Sequence, residues 1–186
     1  MIIDELITVG EQLYRRGLQT PRSGNLSART DRSFFITRTG TNMGLLTRAQ
    51  FVQVCIDENI PVPPEASVET SVHRGVYNRT EARAVVHAHP PYAIALAQVS
   101  GEEGITPIHN EGLAGLRWIP VIGTSVAGED TGEDVASIAA QLQRSPALVI
   151  RGHGAFTIGG SPDEALYRMF LLEEVCKINA IVKSIG

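Results

Sequence analysis

Cysteine is scarce in this chain of 186 residues: only Cys55 and Cys176 occur, far apart and in apolar surroundings. Both read as small buried hydrophobes of a reducing cytoplasm, with no part in zinc ligation. An excess of positive charge is lacking too. Lys and Arg number 16 against 20 Asp and Glu, and the net charge of −4 comes with no basic patch, which argues against nucleic acid as the main partner. No run has the apolar length of a transmembrane helix. Met1-Ile2-Ile3-Asp4-Glu5-Leu6 lacks the positive region of a signal peptide, so a cytoplasmic protein without a membrane partner is expected. Neither a G-x-G-x-x-G loop nor a phosphate-loop lysine motif is present, which disfavours NAD and ATP enzymes. Repeats, low-complexity stretches and composition shifts are also missing. Residues 1–186 therefore read as a single domain, long enough to bury a full core.

What is present is an alternation of strand-like and helix-like segments. Apolar residues at Ile3, Leu6, Ile7, Val9 and Leu13 predict an amphipathic helix from 2 to about 17, stopped near Gly17. Thr20 to Ser27 is a polar, Gly-containing segment. Ser33–Thr37 and Phe51–Cys55 read as strands, and Pro61–Pro64 as a rigid loop. Ser67 to Tyr77 reads as a helix with Ser67 as N-cap and Val68, Val72 and Val76 as its apolar row. Strands are expected at 83–87, 118–122, 147–150 and 155–158, with helices at 91–99 and 131–142. A last helix runs from Pro162, capped by Ser161, to about Lys183. Several strands are joined by short links, as antiparallel neighbours are. The expected fold is one α/β/α layered domain around a mixed, largely antiparallel sheet.

Three of the five histidines stand at the ends of apolar, β-like runs: His87 and His89 in Val85-Val86-His87-Ala88-His89-Pro90, and His153 in Arg151-Gly152-His153-Gly154. Residues i and i+2 of a strand share a face, so His87 and His89 can aim at one point. If His153 converges there, three imidazoles with an open fourth position make a catalytic metal site, for which zinc, copper, iron and nickel suit the ligand type. The plainer alternative is a solvated or hydrogen-bonded His-x-His pair. Glu69 follows the proline loop, one helical turn from Glu65. It is either surface charge or a carboxylate placed to take a proton from a carbon acid beside a bound cation.

The segments Gly24-Asn25-Leu26-Ser27, Ile36-Thr37-Arg38-Thr39-Gly40, Ser67-Val68-Glu69-x-x-x-His73, Val86-His87-Ala88-His89-Pro90 and Arg151-Gly152-His153-Gly154 occur in this order. Together they resemble the class II aldolase/adducin family, from about residue 4 to 183. The resemblance implies Zn2+ (or Mn2+, Co2+ or Fe2+) held by His87, His89 and His153, with Glu69 as fourth ligand and then as acid/base. It also implies a sugar phosphate as small-molecule partner, its phosphate at Gly24, Asn25, Thr39, Gly40, Ser67 and Val68. The expected activity is that of an aldehyde-lyase, cleaving a ketose 1-phosphate through a metal-stabilised enediolate. Dehydratase, decarboxylase and 4-epimerase chemistries are alternatives on the same scaffold, as is an adducin-like scaffold without activity. The resemblance further implies a homotetramer with active sites between subunits, to which apolar Leu113 and Leu116 lend some support.

Two positions depart from that pattern. Val68 stands where a second phosphate-binding serine is common. Asn110 stands where the fuculose-phosphate aldolases place a tyrosine that reaches a neighbouring subunit. Glu111, next to it, resembles the acid/base of the methylthioribulose-phosphate dehydratases, whose counterpart of Glu69 is not a glutamate. Glu111 is thus either a second catalytic group or a surface charge. A longer C-terminal tail that closes over the site in some members has no counterpart here.

Overall fold

The computed structural model describes residues 2–101, 103–123 and 132–185. Helix α1 (Ile2–Arg15) leads to strands β1 (Asn25–Arg29), β2 (Ser33–Thr37) and β3 (Phe51–Cys55). Then come α2 (Thr70–Arg79), β4 (Ala84–Ala88), α3 (Pro91–Val99), the short α4 (Asn110–Gly115) and β5 (Val121–Ile122). Helix α5 (Gly132–Arg144), strands β6 (Ala147–Ile150) and β7 (Gly154–Gly159), and helix α6 (Pro162–Ile185) complete the chain. The strands form one sheet in the order β3-β2-β1-β4-β7-β6-β5. Every neighbouring pair is antiparallel except β5–β6.

Both faces of the sheet are covered, and the strand period decides which residue goes where. Along β4, Ala84, Val86 and Ala88 join Leu6, Leu13, Leu96, Met169 and Cys176 in a core closed by α1, α3 and α6. Val85 turns the other way, into a core of Phe34, Val76, Tyr77, Ile138, Phe156 and Ile158 under α2 and α5. His87 has the parity of Val85 and so points to the α2 side. Because both faces are buried, the central strands are continuous apolar runs in which a polar side chain stands out. No helix among the described residues is long and apolar enough to cross a membrane.

The layered architecture agrees with the sequence reading, and the differences lie where polar residues go inward. The polar segment Thr20 to Ser27 ends inside β1 (Asn25–Arg29), a strand near the middle of the sheet. The helix expected from Ser67 begins at Thr70, with Glu69 as its N-cap residue. Val68 consequently falls outside the apolar row and is 71% exposed, and Glu65 is not one helical turn from Glu69 but pairs with Arg38 at 3.4 Å. The strand expected at 118–122 is confined to Val121–Ile122, with Ile119 in an isolated bridge to Ile105. Leu116 is buried, whereas Leu113 is exposed on α4, a helix the sequence pattern does not announce. Thr131, the expected start of α5, lies outside the described residues. Cys176 is a buried core residue as expected, while Cys55 is only half-buried at the end of β3.

The last helix is capped as its sequence suggests. Ser161 Oγ accepts from the Glu164 amide at 3.1 Å, satisfying a donor that the first helical turn leaves open. Ser161→Ala should lower stability by about 1 kcal/mol. A urea melt checks this: the midpoint should fall at constant slope, and an unchanged midpoint would remove the cap from the account.

Candidate metal centre and active site

The three histidines converge because two adjacent strands end at the same edge. His87 is the fourth residue of β4, fully buried, and stacks on Phe156 of β7 with ring centroids 4.2 Å apart. Its Nδ1 bonds the Ala155 carbonyl at 3.0 Å, and a carbonyl can only accept, so Nδ1 carries the proton and Nε2 faces the site. His89 lies just past β4. Its amide donates to Leu18 at 2.8 Å, while Gln19 donates to the His87 carbonyl at 2.9 Å, so the segment after α1 clamps this strand end. Pro91 opens α3, whose Tyr92 and Ala93 amides are capped by the Glu173 carboxylate of α6, both at 3.0 Å. His153 sits in the tight turn between β6 and β7. Arg151 holds that turn by donating to the Ala97 and Ser100 carbonyls at the end of α3. A Cβ on Gly154 would come within 2.6 Å of the Ala88 carbonyl and 2.8 Å of His89, so the imidazoles fit together only around a glycine.

The reactive nitrogens of His87, His89 and His153 lie within 4.8 Å of one another. Glu69 is 9% exposed and reaches them from the start of α2, with Oε2 3.2 Å from His87 Nε2 and Oε1 3.5 Å from His153 Nε2. Asn25 of β1, paired with His87 across the sheet, donates from Nδ2 to Glu69 Oε2 at 2.5 Å. The donor set fits a divalent cation on its own chemistry. His87 Nε2 and His89 Nε2 are only 3.1 Å apart. Burial first, and the neighbouring imidazoles next, hold the pKa of both rings below the ordinary value, so protons are poor occupants of the gap at neutral pH. Three imidazole nitrogens and one carboxylate thus offer four donor atoms to a single cation.

Beside the triad lies a cleft of about 250 Å³ lined by Gly24, Asn25, Thr39, Gly40, Ser67, Val68, Glu69, His89 and His153, and also by Arg22, Ser23 and Arg38. The residues expected to hold phosphate are thus brought to one place. Their backbone amides are less available than an anion nest requires: Ser67 donates to Thr37, Thr39 to Glu65, and Thr70 to Ser67. The Glu69 amide points to Ser67 Oγ at 3.3 Å. Gly24 is held at φ +72, and a Cβ there would meet the His87 carbonyl at 2.5 Å, so its first duty is to the chain path. Cationic charge in the cleft comes from Arg22 and Arg38, to which the sequence reading assigned no role.

Residues 4–180 match the Class II Aldolase and Adducin N-terminal domain family. The chain belongs to this family. A solved L-fuculose-1-phosphate aldolase from Thermus thermophilus superposes with a TM-score of 0.90 at 36% identity, covering 98% of this chain and 96% of that one. A methylthioribulose-1-phosphate dehydratase from Acidiphilium cryptum is 32% identical over 91% of this chain and 85% of its own length. A "probable bifunctional methylthioribose-1-phosphate isomerase/methylthioribulose-1-phosphate dehydratase" of Nocardia farcinica is 34% identical over 93% of this chain. The chain spans only about a third of that relative, 34% of its length. The enzymes of the family are metal-dependent lyases.

Glu69 stands with the histidine triad and Glu111 does not. Glu111 is exposed in the first turn of α4, its carboxylate accepts from the Tyr167 hydroxyl of α6 at 3.5 Å, and it is not among the residues lining the cleft. The sequence reading also left His73 without a role. It is fully buried behind Asn25, and burial pushes its pKa down to about 3. The only sign in the sequence was its spacing of four residues from Glu69, one helical face.

Histidines whose folded pKa lies below the unfolded value make stability acid-sensitive; here they are His73, His87 and the less buried His89. Above pH ~6.5 the contribution is fully present. As pH falls, the unfolded chain takes up protons that buried His73 and His87 refuse, down to about pH 3 for His73. Metal-free protein should lose about 1.4 kcal/mol per pH unit for each of the two, and chemical denaturation between pH 7.5 and 5 reads it. Equal stability across that range would contradict neutral burial.

Proposed function

We propose that this chain is a zinc-dependent aldehyde-lyase that reversibly cleaves a ketose 1-phosphate, of the L-fuculose 1-phosphate type, to dihydroxyacetone phosphate and an aldehyde. The observation that carries this reading is the position of Glu69: a buried carboxylate within 3.2 Å of His87 Nε2 and bonded by Asn25. A group so placed is suited to moving a proton at carbon next to the bound cation.

His87, His89 and His153 would hold the cation, Glu69 completing its shell until substrate arrives. The cation, zinc or else manganese, cobalt or iron, supplies Lewis-acid stabilisation of negative charge on the substrate's oxygens. Glu69 removes the proton from the hydroxymethyl carbon of dihydroxyacetone phosphate in the condensation direction and returns it after cleavage. Burial of Glu69 keeps bulk water from competing for that proton. The phosphate lies toward Arg22, Thr39, Gly40 and Ser67, where a guanidinium compensates for the hydroxyl that Val68 lacks. The chain acts in the cytoplasm as a homotetramer with sites between subunits.

A second reading has a specific basis. The Acidiphilium and Nocardia relatives carry dehydratase names, and Glu111 resembles the acid/base of such enzymes. In that reading Glu111 of one copy serves the site of another, since within its own chain it stands apart from the triad. Decarboxylase and 4-epimerase activities belong to the same group of alternatives. A scaffold without activity is opposed by the intact histidine triad.

Zinc-loaded protein with dihydroxyacetone phosphate in D₂O, and no aldehyde, separates the readings. The proposal expects stereospecific loss of one carbinol proton by NMR, abolished by a chelator. Glu69→Gln should retain zinc and lose about 10²–10⁴-fold in exchange rate, while His89→Ala should lose the zinc itself. Absence of exchange with zinc in place would overturn the aldolase reading. Turnover of methylthioribulose 1-phosphate that Glu111→Gln abolishes would establish the dehydratase instead.

A further inference from the structure

From Glu69 and Asn25, which line the cleft, a row of buried polar side chains runs back into the core. Asn25 and Ser27 lie two apart on β1, and Glu69, His73 and Tyr77 lie four apart along the start and body of α2. All five are at most 9% exposed. The two rows interleave. Asn25 Nδ2 is 2.5 Å from Glu69 Oε2, His73 Nε2 is 2.5 Å from Asn25 Oδ1, Ser27 Oγ is 2.6 Å from His73 Nδ1, and the Tyr77 hydroxyl is 2.6 Å from Ser27 Oγ. Geometry allows this because four helical residues rise about 6 Å and two strand residues about 6.7 Å, so a helix face and a strand face stay in step.

We propose that Tyr77, Ser27 and His73 form a one-way hydrogen-bond relay that fixes the Asn25 amide and, through it, the Glu69 carboxylate, which makes His73 a positioning residue of this active site. The direction follows from chemistry at one end. A carboxylate only accepts, so Asn25 turns its NH₂ to Glu69 and its carbonyl to His73. That carbonyl requires a donor, so His73 carries its proton on Nε2. A neutral imidazole then presents Nδ1 as acceptor, Ser27 must donate to it, and the Ser27 oxygen is left to accept from Tyr77. Burial keeps His73 neutral, and burial likewise holds the Tyr77 phenol well above its usual range, so both retain these roles. Four polar groups inside a core are costly unless every one is paired, and apolar residues of similar volume would pack there without that demand. What the relay provides is a single orientation for Asn25: an amide free to flip would present its oxygen to the carboxylate. The role assigned to Glu69 rests on the reading above; the direction of the relay does not.

The first test is therefore independent of activity. In ¹⁵N-histidine-labelled, zinc-loaded protein, the His73 ring should show a protonated Nε2 and an unprotonated Nδ1 between pH 5 and 9, its Nε2 proton slow to exchange. The opposite tautomer, or a ring that switches tautomer in that range, would overturn the proposal. The second test uses two variants of similar polarity. His73→Gln places an amide NH₂ near Nε2 and keeps the donor to Asn25, whereas His73→Asn is too short to reach Asn25 and keeps only a partner for Ser27. Both should retain one zinc per chain. His73→Gln should stay within about 3-fold of wild type in kcat, and His73→Asn should lose about 10- to 100-fold in kcat with KM little changed. Equal loss in both variants, or loss in neither, would refute the positioning role. If wild type itself fails to exchange dihydroxyacetone phosphate, the aldolase reading falls while the tautomer result still decides the relay.

Discussion

A carboxylate nine-tenths withdrawn from water stands against the imidazoles of His87 and His153, and the rest of the structure is arranged around that contact. A buried anion is costly unless it is paired and hydrogen-bonded. Glu69 receives both kinds of support from elements far apart in the chain: the Asn25 amide from β1, and the histidines at the ends of β4 and β7. Burial, and next the imidazoles beside them, hold the pKa of His87 and His89 below the ordinary value, so their lone pairs are ready for a cation, and the carboxylate supplies the charge. The site is therefore poised for a divalent metal before one arrives.

The sheet provides the rigidity this contact needs. Antiparallel pairing of β4 with both β1 and β7 places Asn25, His87 and Phe156 side by side in one row. His87 is locked by a stack on one face and a carbonyl at Nδ1, and its neighbours are held from outside the sheet. Gln19 clamps the end of β4, Glu173 caps α3, and Arg151 ties the His153 turn to the far end of the same helix. Charged side chains thus direct their hydrogen bonds to helix termini, and the imidazoles are left to face one another. The small side of the arrangement matters equally: Gly154 leaves the volume into which two rings pack.

The substrate cleft is built to a looser standard. Several amides that could have bound an anion are bonded within the 67–70 turn, Val68 offers no hydroxyl, and cationic charge comes from Arg22 and Arg38. Arg38 is already engaged with Glu65 and the Ala49 carbonyl. This end of the site offers charge rather than a preformed cradle of amides. The histidine side is over-determined and the cleft side is permissive, which matches a scaffold whose relatives are named for different reactions on sugar phosphates.

The sequence by itself determined the class of fold, because long apolar runs with period 2 and apolar stripes with period 3.6 are local properties. It also marked the histidine triad: His87 and His89 share a strand face by spacing alone, and His153 sits in a turn whose glycines announce it. It marked Glu69, Asn25 and the cleft residues through their motifs. Only the tertiary structure decided that Asn25–Arg29 is a strand, since its inward polar residues read as part of a polar segment until their partners on α2 are in place. The same holds for the start of α2, where Ser67 looks like the cap and Glu69 takes the position because its carboxylate is held by the triad. The tertiary structure alone set Glu111 apart on α4, and it alone joined Tyr77, Ser27, His73 and Asn25 into a row. Polar side chains carry no periodic signal of burial: what permits each to be inside is a hydrogen-bond partner that, for His73, lies 46 to 48 residues away in the chain.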